Sequence, residues 1–141
     1  MLRIAFASDD RQRVNQHFGS ALGFVLYQVG PDKSSRVGYG EFPEEAMDGN
    51  ENKLAAKVDF LAGCAAVFVM AIGGSAIKQL LARGIQPIRV TESDRIDDLI
   101  ADLAKAMRDG GVPWIERALA ARAKSNSADR FSRMEEEGWQ G

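Results

Sequence analysis

Ala65 to Ile72 reads AAVFVMAI, an apolar run without polar alternation, bounded by Gly63 on one side and by Gly73-Gly74 on the other. Its valines and Phe68 favour extended backbone. A strand that is apolar on both faces is one covered on both faces, as central parallel strands are. Its flanks supply the covering helices. Upstream, Leu54, Val58 and Leu61 lie on one helical face, Asp48 or Asn50 can cap the start, and Gly63 suits the stop. Downstream, Ser75 is the expected cap of a helix whose Ile77, Leu80 and Leu81 face inward and which Gly84 closes. Ile85 to Val90 (IQPIRV) follows as a short strand, and Pro87 argues for an edge position because it cannot donate to a ladder.

Further outward, Leu2, Ile4 and Phe6 alternate with Arg3, Ala5 and Ala7, the period of a strand, and the polar run Ser8 to Gln16 ends it. Phe24 to Val29 (FVLYQV), the turn Gly30-Pro31-Asp32 and Arg36 to Phe42 (RVGYGEF) read as a hairpin. Ser93 or Asp94 is placed to cap a last long helix, whose stripe Ile96, Leu99, Ile100, Leu103 and Met107 ends at Gly110-Gly111. Pro113 opens a shorter helix through about Arg122. Met70 and Met107 are read as core.

The order is β-β-β-α-β-α-β-α. The expected fold is α/β, a ribonuclease-H-like mixed five-stranded sheet with helices on its faces and a short C-terminal helical extension. The first strand and the Ala65–Ile72 strand should pair in parallel through right-handed crossovers, with the hairpin on one side and Ile85–Val90 on the other. Residues 1–110 form the domain and 111–123 the extension. Residues 124–141 (KSNSADRFSRMEEEGWQG), charged and without hydrophobic period, are read as a mobile tail whose Phe131 and Trp139 touch nothing specific or anchor a partner.

At 141 residues and 45% hydrophobic content the chain suits one domain with one continuous core. No apolar run approaches the roughly 20 residues that cross a bilayer, and Met1-Leu2-Arg3 opens no secretory segment, so a soluble, cytoplasmic protein is expected. Lys and Arg number 18 against 20 Asp and Glu, a net charge of -2, with no dense basic patch, which argues against a nucleic-acid partner. Cys64 is the single cysteine. No internal disulfide, four-thiolate zinc site or conventional cysteine-ligated iron–sulfur site can be built within one chain. Between Gly63 and a buried strand, Cys64 reads as an inert core thiol, with a ligand as the alternative.

Chemistry concentrates on one expected sheet edge. His17, the only histidine, lies in Val14-Asn15-Gln16-His17-Phe18-Gly19, a loop leaving the carboxyl end of the first strand. A neutral imidazole can ligate metal or move a proton. Ile72-Gly73-Gly74-Ser75 leaves the carboxyl end of the Ala65–Ile72 strand. If those strands are neighbours, the gap between the two loops is where open α/β sheets bind ligands. Gly73 and Gly74 would bring bare N–H groups to a helix N-terminus, suited to an anion, or would simply make a tight turn. Neither the dinucleotide-binding glycine spacing nor that of the P-loop is present. Arg11 and Arg13 precede the histidine, either adding positive charge beside an anionic ligand or standing as a solvated face.

Four segments together carry a family resemblance: His17-Phe18-Gly19 after a first strand, Leu61-Ala62-Gly63-Cys64-Ala65, Ile72-Gly73-Gly74-Ser75-Ala76, and Leu81-Ala82-Arg83-Gly84-Ile85-Gln86-Pro87. In order and spacing they resemble the dinitrogenase iron–molybdenum cofactor biosynthesis family over about residues 1–110. The resemblance implies a ribonuclease-H-like fold and a non-catalytic carrier. Such a carrier binds iron–sulfur precursors of the iron–molybdenum cofactor and passes them along the assembly route. The implied partners are the cofactor-assembly scaffold and cluster-donor proteins of nitrogenase maturation. The family's cluster-binding loop histidine maps onto His17, so His17 is the expected metal ligand, with Arg11, Arg13, Asn15, Gln16, Phe18, Gly19, Gly73, Gly74 and Ser75 around the cargo. Cys64 matches in position only. The ligand inventory agrees: receiving a finished anionic cluster needs one anchoring nitrogen plus N–H groups and positive charge, whereas assembling one needs several thiolates.

Two-metal nuclease chemistry would need convergent carboxylates. Asp9 and Asp10 lie beyond the first strand, Glu41 is in the hairpin, and Val67 to Ser75 contains no acid. His17 has no evident Asp/Ser or Cys partner set for a hydrolase. The alternative is a nucleotide- or phosphate-binding regulatory module using Gly73-Gly74-Ser75, in which His17 is dispensable. The sequence leaves the oligomeric state open.

Overall fold

A computed structural model describes residues 1–42, 51–91 and 94–123. Its strands are β1 (Leu2–Ala7), β2 (Gly23–Val29), β3 (Ser34–Glu41), β4 (Ala66–Val69) and β5 (Gln86–Arg89). Its helices are α1 (Glu51–Phe60), α2 (Gly74–Ala82) and α3 (Ile96–Asp109), followed by α4 over 113–123. The strands form one sheet in the order β3-β2-β1-β4-β5. β1 is antiparallel to β2 and parallel to β4, and β4 is parallel to β5. The expected mixed five-stranded α/β sheet is therefore present.

Strict alternation along β1 and β4 splits the core in two. Ala5, Ala7, Val67 and Val69 face Val58 and Leu61 of α1 and Ala76 and Leu80 of α2. Ile4, Phe6, Ala66 and Phe68 face Ile96, Ile100 and Leu103 of α3 and Ile115 of α4. All of β4 is buried, which is why its sequence carries no polar alternation. In α3 the expected stripe holds, with Leu99 and Met107 partly buried against that second core, and Gly110 and Gly111 end the helix at positive φ.

Several local expectations are corrected. β4 stops at Val69 instead of Ile72, and Met70 is 43% exposed rather than core, because beyond Val69 the pairing positions are taken by the loop after β1. β3 begins at Ser34, with a bulge opposite Leu26/Tyr27 that leaves Val37 exposed. Leu81 is exposed, not inward. Ser75 does not cap α2: Gly73 is at the N-cap and no side chain closes the end. Nor does Asp94 cap α3, since Arg95 occupies that position and the Asp94 carboxylate is held by Arg13. The proposed caps Asp48, Asn50 and Ser93, and residues 124–141 with Phe131 and Trp139, lie outside the described residues. Among the described residues no helix is long and apolar enough to cross a membrane.

Candidate functional site

The loop between β1 and β2 is built by hydrogen bonds within a polar sequence. Ser8 Oγ donates to Asp10 Oδ1 at 3.1 Å and accepts from the Arg11 N–H at 2.9 Å. Asp10 Oδ1 also accepts from the N–H groups of Gln12 at 2.8 Å and Arg13 at 2.9 Å, and these hold its carboxyl below the usual range. The tight turn carries Arg11 into the left-handed region at φ 64. Asn15 and Asp9 then exchange two bonds: the Asn15 amide donates at 2.6 Å and its Oδ1 accepts from the Asp9 N–H at 3.1 Å.

Past Asn15 the loop crosses the carboxyl end of the sheet. The Asn15 N–H donates to Ala7 O, the Met70 N–H donates to Gln16 O at 3.0 Å, and the Phe18 N–H donates to Ala71 O at 2.9 Å. His17 thereby forms a parallel bridge with Ala71, which sets their Cα atoms about 5 Å apart. Val14 is buried in the α3-side core and Phe18 in the α1/α2-side core, so His17 is carried between two anchors. Its own side chain is exposed. Gln16 braces the return, its Oε1 accepting from the Leu22 N–H at 3.1 Å.

Two residues beyond Ala71 the chain reaches Gly73, the N-cap of α2, at φ -83 and ψ 161. That conformation is open to any residue, and a Cβ added at Gly73 or Gly74 would meet nothing within 4 Å. Neither backbone geometry nor packing inside the chain calls for these glycines, so the tight-turn reading loses its support. The same holds for the space at Gly19. No acid stands in the first turn of α2 and no side chain caps it, so the helix start, which follows the strand end bridged to His17, carries no compensating side-chain charge. Ser75 Oγ only accepts a long 3.4 Å bond from Gln79.

The two arginines have partners of their own. Arg13 donates to Asp94 Oδ1 at 2.8 Å, and the Arg11 guanidinium rests 4.2 Å above the Tyr39 ring of β3. The bridge sets His17 and the following Gly19 beside the strand end that leads into Gly73, Gly74 and Ser75, with Asn15 and Gln16 as braces. The expected cargo contact at Phe18 is corrected, since its side chain is fully buried in the core, while Arg11 and Arg13 tie the loop to β3 and to the start of α3. Cys64 is at the opposite end of β4, roughly 20 Å from the His17 bridge at ~3.3 Å per residue. It is buried, and burial pushes its thiol up to about 11. Among the described residues no group of three or more His, Cys, Asp or Glu could hold a metal ion.

Lys57 was not anticipated. It is only 7% exposed, and its ammonium donates to Gly19 O at 2.7 Å and to Phe18 O at 3.5 Å. The signal was present, since Leu54, Lys57, Val58 and Leu61 make one i, i+3, i+4, i+7 stripe.

The sequence profile described as dinitrogenase iron–molybdenum cofactor matches residues 1–106. The chain belongs to that family. Within it, the chain is similar to Protein NifX of Azotobacter vinelandii, at 46% identity over 99% of this chain and 87% of that one. It is also similar to Protein NifX of Herbaspirillum seropedicae, at 33% identity over 84% of this chain and 82% of the other. Among solved structures, the crystal structure of PH0822 superimposes with a TM-score of 0.58 at 27% identity, covering 74% of this chain and 90% of that one.

Proposed function

We propose that this member of the family acts in maturation of the nitrogenase iron–molybdenum cofactor, as a non-catalytic carrier of its iron–sulfur precursors. His17 ligates the cargo through neutral imidazole, and the first turn of α2 at Gly73, Gly74 and Ser75 receives its sulfides through N–H groups. The observation that carries this reading is the juxtaposition of an exposed histidine, whose backbone is bridged to Ala71, with an uncapped helix start whose glycines no internal contact requires. Helix N-termini favour anions, and a precursor cluster is anionic. Sparse ligation suits a cluster that must leave again for an assembly scaffold, having come from a cluster-donor protein. The strand order supports the ribonuclease-H-like description, and among the described residues no group of three or more His, Cys, Asp or Glu forms a metal-holding set.

The uncompensated start of α2 also favours a second reading, a nucleotide- or phosphate-binding module that does not use His17. One experiment separates them. Anoxic apo-protein is mixed with isolated precursor cluster and desalted, and co-eluting iron is compared for wild type and His17→Ala. The carrier retains iron and the variant loses it. Absence of iron from both refutes the carrier reading, and thermal stabilisation by nucleotide that survives His17→Ala supports the module instead.

A further inference from the structure

Burying an ammonium costs free energy unless its donors are met, and the stripe position of Lys57 would be filled equally well by a methionine. What lysine adds is a donor at the far end of a long stem. That end reaches the carbonyls of Phe18 and Gly19, the two residues directly after His17. On its other flank the same segment is fixed by the Met70 N–H to Gln16 O and the Phe18 N–H to Ala71 O. The His17 backbone is therefore clamped between the end of β4 and a side chain from α1, across nearly forty residues of sequence. Gly19 is exposed and a Cβ there would touch nothing, so no side-chain packing anchors this residue. The Phe18 carbonyl also accepts from the Ala21 N–H at 3.3 Å, whereas the Gly19 carbonyl receives its 2.7 Å bond from the ammonium.

We propose that Lys57 is a positioning residue for the cargo site: its ammonium, holding the Phe18 and Gly19 carbonyls, fixes His17 in the orientation from which it ligates. This rests on the carrier reading. A ligand held by a locked support binds without first paying to order itself, so loosening the support weakens binding even though the ligand is intact.

The test uses the full chain with Lys57→Met and Lys57→Arg, and two readouts. In the apo-protein, amide hydrogen exchange is followed at residues 17–20 and, as a control for global stability, at the β1 and β4 amides. With isolated precursor cluster, iron retained after desalting is titrated. Lys57→Met is expected to speed exchange at 17–20 at least tenfold while β1 and β4 keep their protection, and to weaken cluster retention about tenfold. Lys57→Arg, which can still donate to both carbonyls, is expected to recover most of the retention. Retention by Lys57→Met equal to wild type overturns the proposal, whether or not the loop exchanges faster. So does equal loss in the methionine and arginine variants together with lost protection across the sheet, which would make Lys57 a general stability residue. Failure of the carrier reading shows differently, as absence of iron from the wild type itself, and the exchange comparison then still decides whether Lys57 holds the loop.

Discussion

Replacing Phe18 with alanine and, separately, its neighbour His17 with alanine should have very unequal consequences for stability, and their contrast tests how the loop is built. Phe18 is fully buried in the α1/α2-side core, its ring 5.5 Å from that of Phe24. Truncating a buried phenylalanine costs about 3–5 kcal/mol, a large share of the roughly 5–15 kcal/mol that holds a domain of this kind folded. At a slope of about 2 kcal/mol per molar urea the unfolding midpoint falls by about 1.5–2.5 M. The His17 side chain is exposed, and its bridge to Ala71 is made by backbone that alanine keeps. Its removal should stay within about 0.5 kcal/mol, or a midpoint shift of about 0.25 M. Urea titration followed by far-ultraviolet circular dichroism measures both. A Phe18→Ala shift below about 0.5 M would refute the anchoring of the loop through its aromatic residue, as would a His17→Ala shift of similar size to that of Phe18→Ala.

Gly40→Ala places a Cβ 2.2 Å from the Phe60 ring, which Phe42 and Phe24 confine; overpacking of this kind costs about 1–3 kcal/mol and should appear in the same titration. Cys64 gives a pH signature. Its thiol rises from 9.0 to about 11 on folding, so its contribution to stability is complete below pH 9 and is lost as pH climbs towards 11, where the unfolded chain releases the proton and the folded one keeps it. Urea midpoints should therefore decline more steeply over that window in wild type than in Cys64→Ala, and equal slopes would contradict the burial. In the same chain Cys64→Ala should leave cluster retention intact, because the thiol is on the far sheet edge. Asp10 shifts the other way: its depressed carboxyl favours the folded state above its ordinary value of 3.8 and ceases to do so as pH falls below it. Asp10→Asn, which keeps the acceptor oxygen, should preserve loop protection in hydrogen exchange, and Asp10→Ala should lose it.

The layer order was legible because it is written in periodicity. The unbroken apolar run from Ala65 to Ile72 pointed to a central strand, Pro87 argued for an edge, and the Ile96–Met107 stripe gave a helix with one buried face, as found for β4, β5 and α3. What the sequence hid was competition for the same groups. Asp94 looks like a cap, but its carboxylate is taken by Arg13, distant in sequence. Met70 continues an apolar run, but the next pairing positions belong to the loop carrying His17. Arg11 and Arg13 look like anion-binding charges beside the histidine, and no local pattern reveals that Tyr39 and Asp94 occupy them. The edge holding His17 and Gly73 was legible because β1 and β4 had to be parallel neighbours. The burial of Lys57 could have been read from its place on the apolar stripe of α1, but its carbonyl partners, nearly forty residues away, could not.

The most direct test of the account exploits the single histidine. The protein is prepared with ¹⁵N-labelled histidine, loaded with precursor cluster in a paramagnetic state, and measured by pulsed electron paramagnetic resonance for nitrogen hyperfine coupling. Direct ligation predicts a coupling that changes with the isotope and disappears in His17→Ala. A cluster retained by the protein without any histidine nitrogen coupling would contradict it.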